Sequence, residues 1–316
     1  LMSEPSESHY DTILRATADG RVVPLLGAGV NLCGRPKDAA WQHGRYLPTG
    51  AELATHLAAL FDYPEGELLD LLRVSQYVEV TLGSGPLYDK LHELFDADYP
   101  PTFLHELLAS LPRRLGLADR RRHQLIMTTN YDDALERAFR AAGEVFDLVW
   151  YVAETENRGK FLHLPPDGEP RLITRPNEYD ELSLEERTVI LKIHGAIDRL
   201  QPERDSFVIT EDHYIDYLTR TDVSTLMPVT LGAKLRHSHF LFLGYSMRDW
   251  NLRVMLHRIW AEQSRSYKSW AIQGDPNPID EEFWHRRGVD VLDTSLEEYV
   301  AGLTAHLERV QTSEVG

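Results

Sequence analysis

Four apolar runs in this chain each end on a short cluster of glycine, amide, carboxylate or imidazole residues, and that arrangement limits the fold more than any other feature. Val22 to Leu26 runs into Gly27-Ala28-Gly29-Val30-Asn31, and Leu125 to Met127 into Thr128-Thr129-Asn130-Tyr131-Asp132. Val189 to Ile193 contains Lys192 and ends on His194-Gly195, and Phe240 to Leu243 runs into Gly244-Tyr245-Ser246-Met247-Arg248-Asp249. Apolar runs bounded by turn residues are what strands covered on both faces of a parallel sheet require. The carboxyl ends of such strands lie along one rim, so clusters far apart in sequence meet at one crevice. The expected fold is α/β, a Rossmann-like parallel sheet flanked by helices.

The remaining segments fill in that plan. A helix from about His9 to Ala18 leads into the first strand. Leu32 to Tyr46, with Gly34, Pro36 and Gly44, reads as an irregular loop placed to act as a mobile cover. Between Pro48 and Leu111 the apolar period becomes helical: Leu53, Leu57, Leu60 and Phe61 keep one face, as do Leu68, Leu71, Leu72 and Tyr77, then Leu87, Leu91 and Leu94, then Phe103, Leu107 and Leu108. Four helices with no strand between them predict an inserted all-helical subdomain over 47–121, with the Rossmann-like domain formed by 8–46 and 122–312. Arg113, Arg114, Arg120, Arg121 and Arg122 cluster where the chain returns to the sheet and read as a solvated surface. Strands are expected at Asp147 to Ala153, Lys160 to Leu164, Arg171 to Thr174, Ser269 to Gln273 and Val289 to Leu292. Helices are expected at Trp250 to Gln263 and Leu296 to Val310.

Composition narrows the class. With 33 Lys and Arg against 50 Asp and Glu, the net charge of −17 opposes a general grip on nucleic acid, which needs basic faces. It does not oppose one anionic ligand held by backbone amides, since distant charges are screened beyond roughly 8 Å at physiological salt. The single cysteine, Cys33, makes an intrachain disulfide and a cysteine-based zinc site impossible. No run of about 18 apolar residues is present, and the segment from Leu1 to Asp11 is polar, so a soluble cytoplasmic protein with no membrane contact is expected.

Each cluster has a chemical reading and a plain one. Gly27 and Gly29 would let the backbone approach a pyrophosphate, with amides of the following turn facing it, or would serve close packing alone. Asn130 has the donor and acceptor that a carboxamide or ribose hydroxyl demands, and Asp132 could offset positive charge on a sugar; either could instead cap the helix that follows. His194 is a candidate general base, since Gly195 leaves room for its ring at the rim. Ser246 suits a phosphate, while Asp249 suits a ribose hydroxyl or a helix cap. Gln273, at a later strand end, is placed to read an adenosine half.

Taken in order, these clusters resemble the sirtuin family, whose Gly-Ala-Gly turn, Thr-x-Asn-x-Asp, His-Gly and Gly-x-Ser motifs recur here from about Val22 to Thr294. The resemblance implies NAD as the ligand. Gly27, Ala28 and Gly29, with Asn31 in place of the usual serine, would lie at the phosphates, and Thr129, Asn130 and Asp132 at the nicotinamide end. His194 would be the base, and Gly244 and Ser246 would touch the phosphates and the adenosine ribose, with Tyr245 and Asp249 as further cofactor-binding candidates. The four zinc-holding cysteines of protein-deacylating sirtuins are missing, and Gly34-Arg35-Pro36 is followed by Lys37-Asp38-Ala39 where those enzymes carry Pro-Asp-Phe-Arg. The stretch Leu47-Pro48-Thr49-Gly50-Ala51-Glu52-Leu53, the helical insertion and the Gly244 to Asp249 form with its tyrosine and aspartate are more similar to bacterial sirtuin-like domains of phage-defence systems, which degrade NAD when a sensor is triggered. The implied activity is NAD glycohydrolysis without a metal. A homo-oligomer, and a sensor or ATPase that is a partner or a fused domain, are implied as partners. An NAD-dependent protein deacylase and a non-catalytic NAD or ADP-ribose sensor are the alternatives.

Overall fold

The computed structural model describes residues 4–219, 227–245, 256 and 267–314. Its strands are β1 Val22–Leu26, β2 Leu125–Thr128, β3 Phe146–Tyr151, β4 Phe161–Leu164, β5 Arg171–Ile173, β6 Thr188–Lys192, β7 His239–Leu243, β8 Ser269–Ile272 and β9 Val289–Leu292. They form one nine-stranded sheet in the order β5-β4-β3-β6-β2-β1-β7-β8-β9. Only β4 and β5 run antiparallel to their neighbours; the pairs from β3 through β9 are parallel. The expected α/β class, with its mostly parallel sheet, is what is observed.

The apolar runs are continuous because both faces of the sheet are covered. Val23, Leu25, Met127, Leu191 and Phe242 face one layer. Their alternates Val22, Leu26, Ile126, Ile190 and Leu243 face the other. The first layer receives helices α7 Glu211–Thr219, α8 Val229–Arg236 and α9 Pro278–His285. The second receives α1 Glu7–Ala18, α5 Phe103–Arg114, α6 Ala134–Ala141 and α10 Leu296–Glu314. Pro24 is tolerated in the central strand β1 because its register with β2 begins only at Leu25, while Pro24 itself lies opposite Leu241 of β7.

Helices α2 Gly50–Leu60, α3 Leu71–Leu82 and α4 Ser84–Phe95 build a third apolar cluster around Leu53, Leu57, Val74, Val78, Leu87 and Leu91. Tyr99, Phe207 and Ile209 join it, so this helical layer is seated on the loops above the sheet's carboxyl rim. α5, the fourth helix of the expected run, turns its leucines to the sheet instead. Sequence periodicity passes over α7, α8 and α9, which are only eight or nine residues long. The helix expected at Trp250 to Gln263 lies outside the described residues, apart from Leu256.

The connectivity makes β1 the switch point. From β1 the chain crosses to β2 on one side, and it later returns to β7 on the other. Ligand crevices of open α/β sheets form where strand order diverges in this way. After β6, Gly195 takes φ +90° because the extended segment that follows folds back against it: a Cβ there would stand 2.1 Å from the Ser206 carbonyl oxygen. The residue is thus demanded by backbone contact more than by room for its histidine neighbour. Gly195→Ala is expected to destabilise the fold by about 2 kcal/mol or more, read as a lowered urea midpoint with an unchanged slope.

Candidate functional site

The turns after β1 and β7 interlock through main-chain atoms. Gly27 N–H donates to the Leu243 carbonyl and Gly29 N–H to the Gly244 carbonyl, each at 2.9 Å. A Cβ at Gly27 or Gly29 would fall 2.7 Å from the Gly244 oxygen, and one at Gly244, where φ is +72°, would fall 2.4 Å from Val30 N. Close packing therefore accounts for all three glycines, and the Gly29 amide expected at a phosphate is already bonded. Beyond them, Ala28, Gly29, Asn31, Gly244 and Tyr245 line a cavity of about 480 Å³ that Thr129, Asn130, Asp132 and His194 also enter. Asn31 is 7% exposed, and its Oδ1 is buried without a hydrogen-bond partner. An orphaned buried acceptor is rare enough to require an explanation, and a ligand hydroxyl or amide would supply one.

The loop after β2 is held at both ends. Thr129 N–H donates to Leu26 O at 3.1 Å, and Tyr245 Oη donates to Thr129 Oγ1 at 2.9 Å, joining this loop to the turn after β7. Asn130 Nδ2 donates to Gly27 O at 3.3 Å. Asp132, 5% exposed, stands one position before the N-cap Asp133 and accepts the Ala134 amide on Oδ1 at 3.0 Å, so it is tied to the start of the following helix while it also lines the cavity. Beneath the loop, Lys192 at the end of β6 is 1% exposed and donates to the carbonyls of Tyr131 and Asp132 and to Glu136 Oε1, the last at 2.6 Å.

His194 is 9% exposed and sits edge-on to Tyr214 and Tyr217, with ring centroids at 5.3 and 5.8 Å. Its Nδ1 lies 3.3 Å from Tyr214 Oη. Burial pushes the imidazole down to about 3, so the ring is neutral at physiological pH. Both tyrosines lie on α7, whose first turn is tied to α3: Gln76 exchanges two hydrogen bonds with Asp212, and Arg73 pairs with Glu211 at 3.5 Å.

The helical layer supplies the apolar wall of the cavity through Pro48, Leu53, Leu71 and Phe95. Thr49 and Gly50 at the start of α2 also face it, and Thr49 forms a capping box with Glu52. Glu52 further binds the guanidinium of Arg35 at 2.5 and 3.0 Å, while Arg35 holds Ala39 O. Burial opposes the Glu52 charge, but Arg35 and Thr49 outweigh it and hold the carboxyl at about 2. The segment expected to be a mobile cover is thus fastened to α2. No lysine or arginine is among the described residues lining the cavity, and Asp132 is its one carboxylate.

Glu79, Glu154 and His213 form a separate group with ligand atoms within 4.8 Å of one another. The amides of Ile209 and Thr210 point at His213 Nδ1, at 3.4 and 3.5 Å, so Nε2 carries the proton and donates to Glu154 at 3.1 Å. In that tautomer the ring offers no lone pair to a cation.

With this geometry in view, the comparison with known proteins is direct. A family model described as a SIR2-like domain matches residues 124–292, more than half of the chain. The chain belongs to the SIR2-like family. Defense-associated sirtuin 2 of Bacillus subtilis is 23% identical over 232 residues, which cover 72% of this chain and 19% of that protein. NAD(+) hydrolase ThsA of Acinetobacter baumannii (strain 532279) is 29% identical over 191 residues, 60% of this chain and 31% of that one. ThsA of Enterococcus faecium is 29% identical over 189 residues, with 59% and 31% covered. This SIR2-like chain therefore spans about a fifth to a third of the length of the curated relatives it matches. No helix among its described residues is long and apolar enough to cross a membrane.

Within the SIR2-like chain, Ala28, Gly29, Asn31, Thr129, Asn130, Asp132, His194, Gly244 and Tyr245 all converge on one cavity. Gly27 lies just behind its lining, where an added Cβ would meet Gly244 and Tyr245. Gln273 follows β8, where its backbone N–H donates to Leu292 O, and does not line the cavity. Ser246 and Asp249 lie outside the described residues. Tyr214, Tyr131, Phe95 and Lys192 are the site's neighbours that sequence reading gave no role. Only the Tyr214 to Tyr217 spacing and the presence of a lysine inside an otherwise apolar strand could have signalled them.

The buried histidines set an acid limit on stability. Burial lowers His194 to about 3 and His105 to about 4, and burial is also the largest influence bringing His9 to about 4. Unfolded histidines titrate near 6.5, so below that pH the unfolded chain binds protons that the folded chain refuses, and stability rises with pH. The contribution is complete above about pH 6.5 and is lost progressively as pH falls towards 4. The urea midpoint is expected to drop across that window, and His194→Gln is expected to flatten the drop.

Proposed function

We propose that this SIR2-like chain is an NAD glycohydrolase that yields nicotinamide and ADP-ribose. The observation that supports it best is the meeting of Asn130, Asp132 and His194 around one cavity at the switch point of the sheet. The names of the ThsA relatives point to the same substrate. Among the described lining residues one is a carboxylate and none is lysine or arginine, which suits the cationic nicotinamide ring and the positive charge that grows on the ribose as the glycosidic bond breaks. In this reading the bonding electron pair leaves with nicotinamide. Water oxygen then bonds to the anomeric carbon, and its proton passes to neutral His194.

Asn130 would orient the carboxamide or the water, and the orphaned Asn31 Oδ1 would accept from a ligand hydroxyl or amide. A water that is bonding to an oxocarbenium-like carbon is strongly acidified, so a base of low proton affinity such as His194 is adequate. No step calls for a metal. The likeness to Defense-associated sirtuin 2 supports a role as an anti-phage effector that depletes NAD in the cytoplasm, restrained by oligomerisation or by a sensor or ATPase, separate or fused.

One observation favours a non-hydrolysing NAD or ADP-ribose sensor instead: the Asp132 carboxylate is already spent in part on Ala134. Incubation with NAD alone, followed by chromatography of nicotinamide and ADP-ribose, separates the two readings. It also separates a deacylase, which releases little nicotinamide without an acylated peptide. His194→Ala and Asn130→Ala are each expected to cut turnover by about 100-fold or more. Parental rates in His194→Ala would remove the imidazole from the mechanism.

A further inference from the structure

We infer that Lys192 is a positioning residue for the reaction proposed above, its ammonium holding the Asn130–Asp132 loop in register with His194. The inference rests on the NAD-hydrolysing reading for its kinetic part and on the geometry alone for its structural part.

An ammonium has three protons to donate, and here three acceptors receive them: the Tyr131 carbonyl at 3.3 Å, the Asp132 carbonyl, and Glu136 Oε1 at 2.6 Å. The first two belong to the loop that carries Asn130 and Asp132. The third belongs to the first turn of α6, the helix whose first amide, that of Ala134, donates to Asp132. Two residues beyond Lys192 on the same strand end stands His194. One side chain therefore joins the segment bearing the imidazole to the segment bearing the amide and carboxylate.

Burying a lysine and a glutamate at about 2% side-chain exposure is costly. An apolar pair would fill the space between β6 and α6 at no such cost, but it could not supply donors to the two buried carbonyls. Those carbonyls would otherwise turn towards other donors, and the loop would turn with them. What distinguishes the lysine from a packing residue is thus its hold on the Tyr131 and Asp132 peptides.

The test uses the full chain carrying Glu136→Leu and Lys192→Met together. Replacing both partners leaves no lone buried charge, and such exchanges tend to preserve or raise stability; Lys192→Met alone would strand Glu136. The double variant is expected to keep its melting temperature and the slow amide exchange of β2 and β6, while amides 129–134 exchange about tenfold faster or more. With NAD as substrate, kcat is expected to fall on the order of 100-fold, the effect of a misplacement of about 1 Å, with KM within about threefold of the parent. An unchanged exchange rate over 129–134, or an unchanged kcat, overturns the inference. If the parent chain does not turn over NAD under any condition, the glycohydrolase reading fails, and the exchange measurement alone decides whether Lys192 positions the loop.

Discussion

Everything at the rim depends on how closely two turns approach each other. β1 and β7 are neighbours in the sheet, and the chain leaves them through Gly27–Gly29 and Gly244, whose main chains touch without a side chain between them. The carbonyl of Gly244 accepts from Gly29 while Asn130 reaches across to the Gly27 carbonyl. Tyr245, carried on the same turn, bonds Thr129. The three central strand ends are thereby fixed to one another before any ligand is considered. A methyl group at any of these glycines would part them.

On that frame the fold places a chamber of unusual polarity. Its floor is rim backbone and short polar side chains; its wall is the apolar face of α2, α3 and α4. Two titratable groups at the chamber owe their charge states to their surroundings: His194 is neutral because it is desolvated beside two tyrosines, and Glu52, outside the lining, is charged because Arg35 and the Thr49 cap overcome its burial. Local surroundings, not the net charge of the chain, determine what this chamber attracts.

The sheet was legible because parallel strands buried on both faces leave long apolar stretches that end abruptly at Gly27, Thr128, His194 and Gly244. The convergence of Asn130, Asp132 and His194 could be read from the same ends. What could not be read is which atoms consume the polar groups. Nothing in Gly27-Ala28-Gly29 reveals that its glycines serve the neighbouring turn, since β7 lies more than two hundred residues away. Nor does the sequence show that Gly195 answers to Ser206, or that Asp132 both holds the first amide of α6 and faces the cavity. Short helices such as α7 offer too few turns for a periodic signal, so Tyr214 escaped notice although it touches the imidazole.

α7 itself has a mechanical consequence. Its first two residues, Glu211 and Asp212, are bonded to Arg73 and Gln76 of α3, and within the same turn Tyr214 rests against His194. A displacement of α3 relative to the sheet must strain those bonds, drag Tyr214 with them, or both. About four ångströms of helix separate the residues that hold α3 from the one that touches the imidazole, so the helical layer and the ring share a single short lever.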